Sequence, residues 1–285
     1  MFGFLKKSRQ PGDGKGLLLR NYADPQDTVL KIASKEVVSC NENDRVIDAL
    51  SCMLAGVRRM PVTGDEGEVK GVVSSTDVLS FIGAGDKSKL FTNTGLSATV
   101  KKIMENEVHC LAETDSIPLA LEFFKMHGKP IHPVTDQKKL HAVVSESDIV
   151  NLISRPTGFR VSQVMSQKPI FAHEDYAIFD VAKMFCRGPY RRLPIVNRGV
   201  LTGIVTPYDI LSHLNRSESL NSLRMELSPI KAVMARNVAS VHPEDDIYEA
   251  VKAMKVRKVS GLPVVDEDAE LVGMISKRDI IRAMS

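Results

Sequence analysis

The chain has no tryptophan, only 5% aromatic residues and only four cysteines in 285 residues. It also lacks any apolar run approaching the roughly 20 residues that a membrane-crossing helix requires. Its net charge of +3 is too small to mark a nucleic-acid surface by itself, and few aromatics are available to stack on bases. Cys40, Cys52, Cys110 and Cys186 share no metal or redox spacing. Cys52 falls in a helical stripe and Cys40 and Cys110 lie beside strands, so buried thiols in a reducing cytoplasm are expected. His109, His127, His132 and His141 crowd one stretch, but none stands at zinc spacing from an acidic or cysteine partner. No phosphate-loop lysine motif and no nucleophile elbow occur, so no catalytic set is assigned and a non-enzyme is expected. In Met1–Lys7 the charge follows a very short apolar stretch, the reverse of a secretory signal, and a free tail is expected there.

What is present is a repeat. Val72-Val73-Ser74-Ser75-Thr76-Asp77 returns as Val143-Val144-Ser145-Glu146-Ser147-Asp148. It returns again as Ile204-Val205-Thr206-Pro207-Tyr208-Asp209 and Met274-Ile275-Ser276-Lys277-Arg278-Asp279. The four aspartates are 71, 61 and 70 residues apart. Pro61, Pro133, Pro194 and Pro263 precede them by 15 or 16 residues. Before each proline, apolar residues recur at i, i+3, i+4 and i+7: Val46, Ala49, Leu50, Met53 in the first copy, and the sets beginning at Ile117, Ile178 and Ile247 in the others. That spacing predicts an amphipathic helix with one buried stripe. Two short apolar runs between helix and aspartate predict a strand pair, and a short helix follows each aspartate. With an apolar run ahead of the first helix, each unit reads strand–helix–strand–strand–helix, an α/β (α+β) class.

A unit of roughly 55 residues is at the edge of what buries a stable core alone, so packing in pairs is expected. The units are placed at 29–83, 100–154, 161–215 and 230–285, with residues 1–28 as an N-terminal extension. Ser154–Gly158 forms the hinge between pairs, and longer connectors run over Gly83–Ala98 and Asn215–Ser228.

A Ser or Thr between strand and helix is a helix N-cap, and an acid three residues on resembles a capping box. Asp is shorter than the usual Glu, and its recurrence in all four copies points beyond capping. A carboxylate at a helix start can accept both hydroxyls of a ribose, and the free N–H groups beside it suit phosphate. Arg58-Arg59 and Arg191-Arg192 stand at equivalent places ahead of the proline in units one and three, where units two and four carry the segments Lys129-Pro130-Ile131-His132-Pro133 and Val259-Ser260-Gly261-Leu262-Pro263. Arginine-to-phosphate contacts contribute about 1.5–3 kcal/mol each. In the second unit, His141 is read as replacing the glycine found at Gly71, Gly203 and Gly273.

Together these segments resemble those of CBS-domain proteins with four tandem repeats, over about residues 29–285. The resemblance is to archaeal stand-alone homologues of the AMP-activated protein kinase gamma subunit. It implies two Bateman modules in a disc-like arrangement, with AMP, ADP or ATP as a non-obligatory ligand and an energy-sensing, regulatory role on a partner protein. It implies that Asp77, Asp148, Asp209 and Asp279 hold ribose, and that Ser74, Ser145, Thr206 and Ser276 sit near ribose or phosphate. Arg58, Arg59, Arg191 and Arg192 would hold phosphates. Val108, His109, Lys129 and Pro130 would frame adenine at Asp77, and Val238, Ala239, Val259 and Ser260 at Asp209. The alternative ligand is S-adenosylmethionine, and a less favoured reading is nucleic-acid binding through the arginine steps. A homodimer is left open.

Overall fold

A computed structural model describes residues 17–84, 96–216 and 228–285. The expected free tail and most of the two longer connectors lie outside these residues. The first unit contains β1 (Cys40–Asn41), α1 (Val46–Leu54), β2 (Arg59–Thr63), β3 (Val69–Ser74) and α2 (Ser75–Leu79). The second contains β4 (Leu111–Ala112), α3 (Ile117–His127), β5 (Ile131–Asp136), β6 (Lys139–Ser145) and α4 (Glu146–Val150). The third contains β7 (Ala172–His173), α5 (Ile178–Arg187), β8 (Leu193–Asn197), β9 (Val200–Val205) and α6 (Pro207–Arg216). The fourth contains α7 (Ile247–Val256), β10 (Gly261–Val265), β11 (Leu271–Ser276) and α8 (Lys277–Ala283).

The expected order of elements is found in the first three units, and in the fourth from its first helix onward. In the first three, the leading strand pairs parallel to the second, which pairs antiparallel to the third. In the fourth, a single parallel bridge from Val241 to Val264 replaces the leading strand. Every hairpin carries a register shift at the same place, as between Val62 and Thr63. The helical stripes are all buried, with Val46, Ile117, Ile178 and Ile247 at 0–1% exposure.

The strand register corrects one reading of the sequence. Val62, Ile195 and Val264 face Gly71, Gly203 and Gly273, whereas Val134 faces Ala142. Ala142, not His141, is therefore the counterpart of the glycines. Adjacent residues of a strand point to opposite faces, so His141 lies on the other side, where Nδ1 is 2.6 Å from Glu113 Oε1.

Two kinds of contact join the units. A one-turn helix ahead of each unit crosses to its pair mate. Val29–Lys31 docks on unit two, where Val29 N–H donates to Asp115 O (2.8 Å). Val100–Lys102 docks on unit one through Val100 N–H to Asp44 O (2.8 Å). Val161–Val164 and Ile230–Ala232 make the same exchange between units four and three. The helices join units differently. One apolar core unites units one and three, and another unites two and four. Accordingly α2 packs on α6, and α4 on α8. Each unit is thus held by straps to one neighbour and by its core to another, the arrangement of two Bateman modules packed together. Part of the N-terminal extension is also built in. Leu17 and Leu19 are 3% and 4% exposed, and Leu19 N–H donates to Ser285 O (2.8 Å).

Candidate functional site

The four Ser/Thr-x-x-Asp segments form one geometry. Asp77 Oδ2 accepts from Ser74 N–H (2.8 Å) and Ser74 Oγ–H (2.7 Å). Asp148 Oδ2 accepts from Ser145 N–H and Oγ–H, both at 2.7 Å. Asp209 Oδ2 accepts from Thr206 N–H (2.7 Å) and Oγ1–H (2.6 Å), and Asp279 Oδ2 from Ser276 N–H (2.8 Å) and Oγ–H (2.5 Å). Asp is therefore long enough to close the capping box, which corrects the argument that its shortness speaks against capping. The box uses Oδ2 in every copy, and Oδ1 remains outside it. Burial pushes the carboxyls of Asp77, Asp148 and Asp279 above the ordinary range, against the lowering effect of the Ser hydroxyl and N–H.

Three cavities meet at the centre of the molecule. One of about 280 Å³ is walled by Ser74, Asp77 and Arg59 from unit one and by Val108, His109, Lys129 and Pro130 from unit two. These are the residues the sequence groups around Asp77. Glu105, Glu107, Tyr190, Arg191 and Arg278 also line it, and the sequence reading did not place them there. A second cavity, about 360 Å³, is walled by Ser276 and Asp279 from unit four and by Lys168, Pro169, Ile170 and Tyr190 from unit three, together with Arg191, Arg192 and Arg278. Ile170 stands eight residues before α5, as His109 stands eight before α3, so the repeat itself carried the signal for this wall. A small void of about 40 Å³ lies between, against Arg58, Arg59, Arg191, Arg192, Thr206 and Ser260. Asp148, Ser145, Asp209, Val238, Ala239 and Val259 lie outside these three cavities. Ala239 and Val259 pack on the second core.

The arginine steps supply the electrostatics. Arg58 lies over the Tyr208 ring, 5.5 Å from its centroid. Burial, with Arg191 beside it, pushes the Arg59 guanidinium down to about 9, and the same two causes push Arg192 to about 10. Each residue as a whole is half-buried. Arg192 donates to Ser260 Oγ. Gly261 makes room for it, since a Cβ there would fall 1.9 Å from Arg192 Nη1 and 2.9 Å from Ile275 O. Arg191 Nη1 donates to Glu146 Oε2 (3.0 Å), and Nη2 donates to Gly128 O (3.3 Å). Lys277 Nζ donates to Ser147 Oγ (2.7 Å). Arg58, Arg59, Arg191, Arg192, Lys277 and Arg278, from three units, thus gather here, and the desolvated guanidinium groups of Arg59 and Arg192 favour an anionic ligand.

A family model described as the CBS domain matches residues 29–84, 100–155, 161–216 and 230–285. The chain is a CBS-domain protein. It is 27% identical over 275 residues to protein MJ1225 of Methanocaldococcus jannaschii, covering 89% of this chain and 98% of that one. The crystal structure of MJ1225, described as a candidate archaeal homologue of γ-AMPK, superposes with a TM-score of 0.83 at 26% identity, covering 90% of this chain and 99% of that one. A conserved protein of Pyrococcus horikoshii shares the fold, with a TM-score of 0.61 at 18% identity over 90% of this chain and 99% of that one. A 33.4 kDa protein of Thermofilum pendens is 25% identical over 260 residues, 84% of this CBS-domain chain and 85% of that protein. Among the described residues of this CBS-domain protein, no helix is long and apolar enough to cross a membrane.

Proposed function

We propose that this CBS-domain protein binds an adenosine nucleotide, AMP, ADP or ATP, in the Asp77 and Asp279 cavities and conveys the bound state to a regulated partner protein. The observation that carries this is that Arg59, Arg191 and Arg278 line one cavity and Arg191, Arg192 and Arg278 the other, and that each cavity also holds a Ser-x-x-Asp segment. Asp77 or Asp279 would offer its second carboxylate oxygen to a ribose diol. Val108 and Pro130, or Pro169 and Ile170, would flank the base. The arginines would meet the phosphate. A dianionic phosphate would offset the cost of desolvating Arg59 and Arg192, at about 1.5–3 kcal/mol per charge-assisted contact. S-adenosylmethionine offers a sulfonium and a single carboxylate in place of a dianionic phosphate, so it compensates those guanidinium groups less. The Asp148 and Asp209 segments are kept as candidate ribose sites on the same chemistry.

Ligand binding raises the work of unfolding. A nucleotide at 100 times its dissociation constant stabilises the native state by about 2.7 kcal/mol. Calorimetric titration with AMP, ATP and S-adenosylmethionine tests the reading, with Asp77→Ala and Asp279→Ala as controls. AMP or ATP should bind, and each substitution should weaken binding at its own cavity by roughly tenfold or more, about 1.4 kcal/mol. No binding at millimolar nucleotide, tighter binding of S-adenosylmethionine, or wild-type affinity in both variants would overturn it.

A further inference from the structure

The residue after the N-cap differs in the four units: Ser75, Glu146, Pro207 and Lys277. Glu146 is the exceptional one. It is 5% exposed, in the midst of the cationic centre. Oε2 accepts from Arg191 Nη1 at 3.0 Å, and Oε1 lies 3.5 Å from Arg278 Nε. Its own N–H donates to Pro130 O (3.0 Å), which fixes the backbone under the carboxylate. Arg278 Nε is buried and has no hydrogen-bond partner among the described residues, so Glu146 meets its charge without satisfying its donor. The two arginines that Glu146 holds, Arg191 and Arg278, are also the two that line both large cavities.

Capping alone does not account for this placement. An acid in a first turn does complement a helix dipole. But α4 already has Asp148 in its first turn, and that carboxylate closes the box. A carboxylate that pairs with two guanidinium groups from two other units occupies the position of an anionic ligand atom.

We propose that Glu146 is a built-in anion that sets ligand selectivity by charge, disfavouring ligands with more phosphates in the Asp77 and Asp279 cavities. The inference rests on the nucleotide-binding reading above. A phosphate reaching Arg191 or Arg278 from either side shares that guanidinium with a fixed carboxylate. The repulsion it meets grows with its charge, so it is least for a monophosphate and greatest for a triphosphate. A ligand without phosphate meets none of it. Lys277, at the matching place in unit four, donates to Ser147 Oγ and not to the carboxylate.

Glu146→Gln keeps the side-chain volume and removes the charge. Adenosine, AMP, ADP and ATP are titrated into the wild-type protein and the variant in metal-free buffer. The variant should bind every phosphorylated ligand more tightly, in graded fashion, with the ATP-to-AMP affinity ratio rising by about tenfold and adenosine unchanged. Glu146→Ser, which installs the residue unit one carries at this place, removes the same charge with a shorter side chain and serves as a second variant. Thermal melting of both establishes that they are folded. An unchanged ratio in a folded variant overturns the inference, and so does an equal gain for AMP, ADP, ATP and adenosine, the outcome expected of a merely structural residue. Failure of the wild-type protein to bind any nucleotide overturns the underlying reading instead.

Discussion

A single methyl group placed at Gly203 tests how the strap of one unit is fitted to the sheet of another. The Gly203 backbone is not in the left-handed region, so alanine is conformationally allowed there. Its Cβ, however, would lie 2.4 Å from Met234 Sδ, 2.8 Å from Met234 Cγ and 3.1 Å from Ala235 O. Cγ and the backbone oxygen are not free ends, so Met234, which is 7% exposed, must leave its rotamer or the strap must shift. Overpacking of this kind costs about 1–3 kcal/mol. Met234→Ala alone removes a buried side chain, at about 2–5 kcal/mol. In the double variant the methyl group enters space that Met234 has vacated. The combined loss should then fall short of the sum by about 1–2 kcal/mol, measured by differential scanning calorimetry of the four proteins as a double-mutant cycle. Near its midpoint the protein should lose about 2–4 °C per kcal/mol. The second unit already carries the doubly small combination. Ala142 replaces the glycine, and Ala33 holds the place that Met104, Met165 and Met234 hold elsewhere, directly before the bridge from Ser34 to Val143. Additive losses, with coupling below about 0.3 kcal/mol, would refute the fitted-pair argument.

Two further outcomes concern protons. The His132 ring is 1% exposed, donates from Nδ1 to His109 O at 2.8 Å and has a buried Nε2 with no hydrogen-bond partner, so desolvation holds it below the ordinary histidine value. A depressed folded value means that the stability is present above the unfolded value of about 6.5 and is lost as pH falls, by up to about 1.4 kcal/mol per pH unit. His132→Leu should flatten the acid limb of a melting-temperature profile between pH 6.5 and 5, and an unchanged limb would refute this. The Cys40 thiol, 8% exposed, is pushed up to about 12 by burial, so iodoacetamide at pH 8 should leave it unmodified in the native protein, as mass spectrometry of the peptides would show.

The periodic features were legible because they are local. All four helical stripes and the hairpins before each aspartate follow from spacing that one segment carries by itself. What escaped depends on faces and neighbours. His141 and Ala142 differ by one step of a strand, and only the register with Val134 shows which of them faces the strap. The exchange of straps could not be read from spacing, because Val29 suits any apolar groove and its partner Asp115 lies beyond the first unit. Arg191 was legible as a phosphate-seeking cation. That it reaches Glu146 in unit two was not, because the contact depends on how units one and three join two and four. The Asp279 wall at Lys168, Pro169 and Ile170 was accessible by the offset that places His109, and was missed because its residues carry no distinctive chemistry.

The strap that begins at Leu17 has a consequence for how the molecule is threaded. Leu17 O accepts from Ser285 N–H (3.0 Å), and Leu17 bridges Met284 in parallel. The segment ahead of unit one is thereby stitched to the last residues of unit four. A circular permutant of residues 17–285, with Ser285 linked to Leu17 and the break moved to the Ser154–Gly158 hinge, would keep every strap on the unit it now clasps.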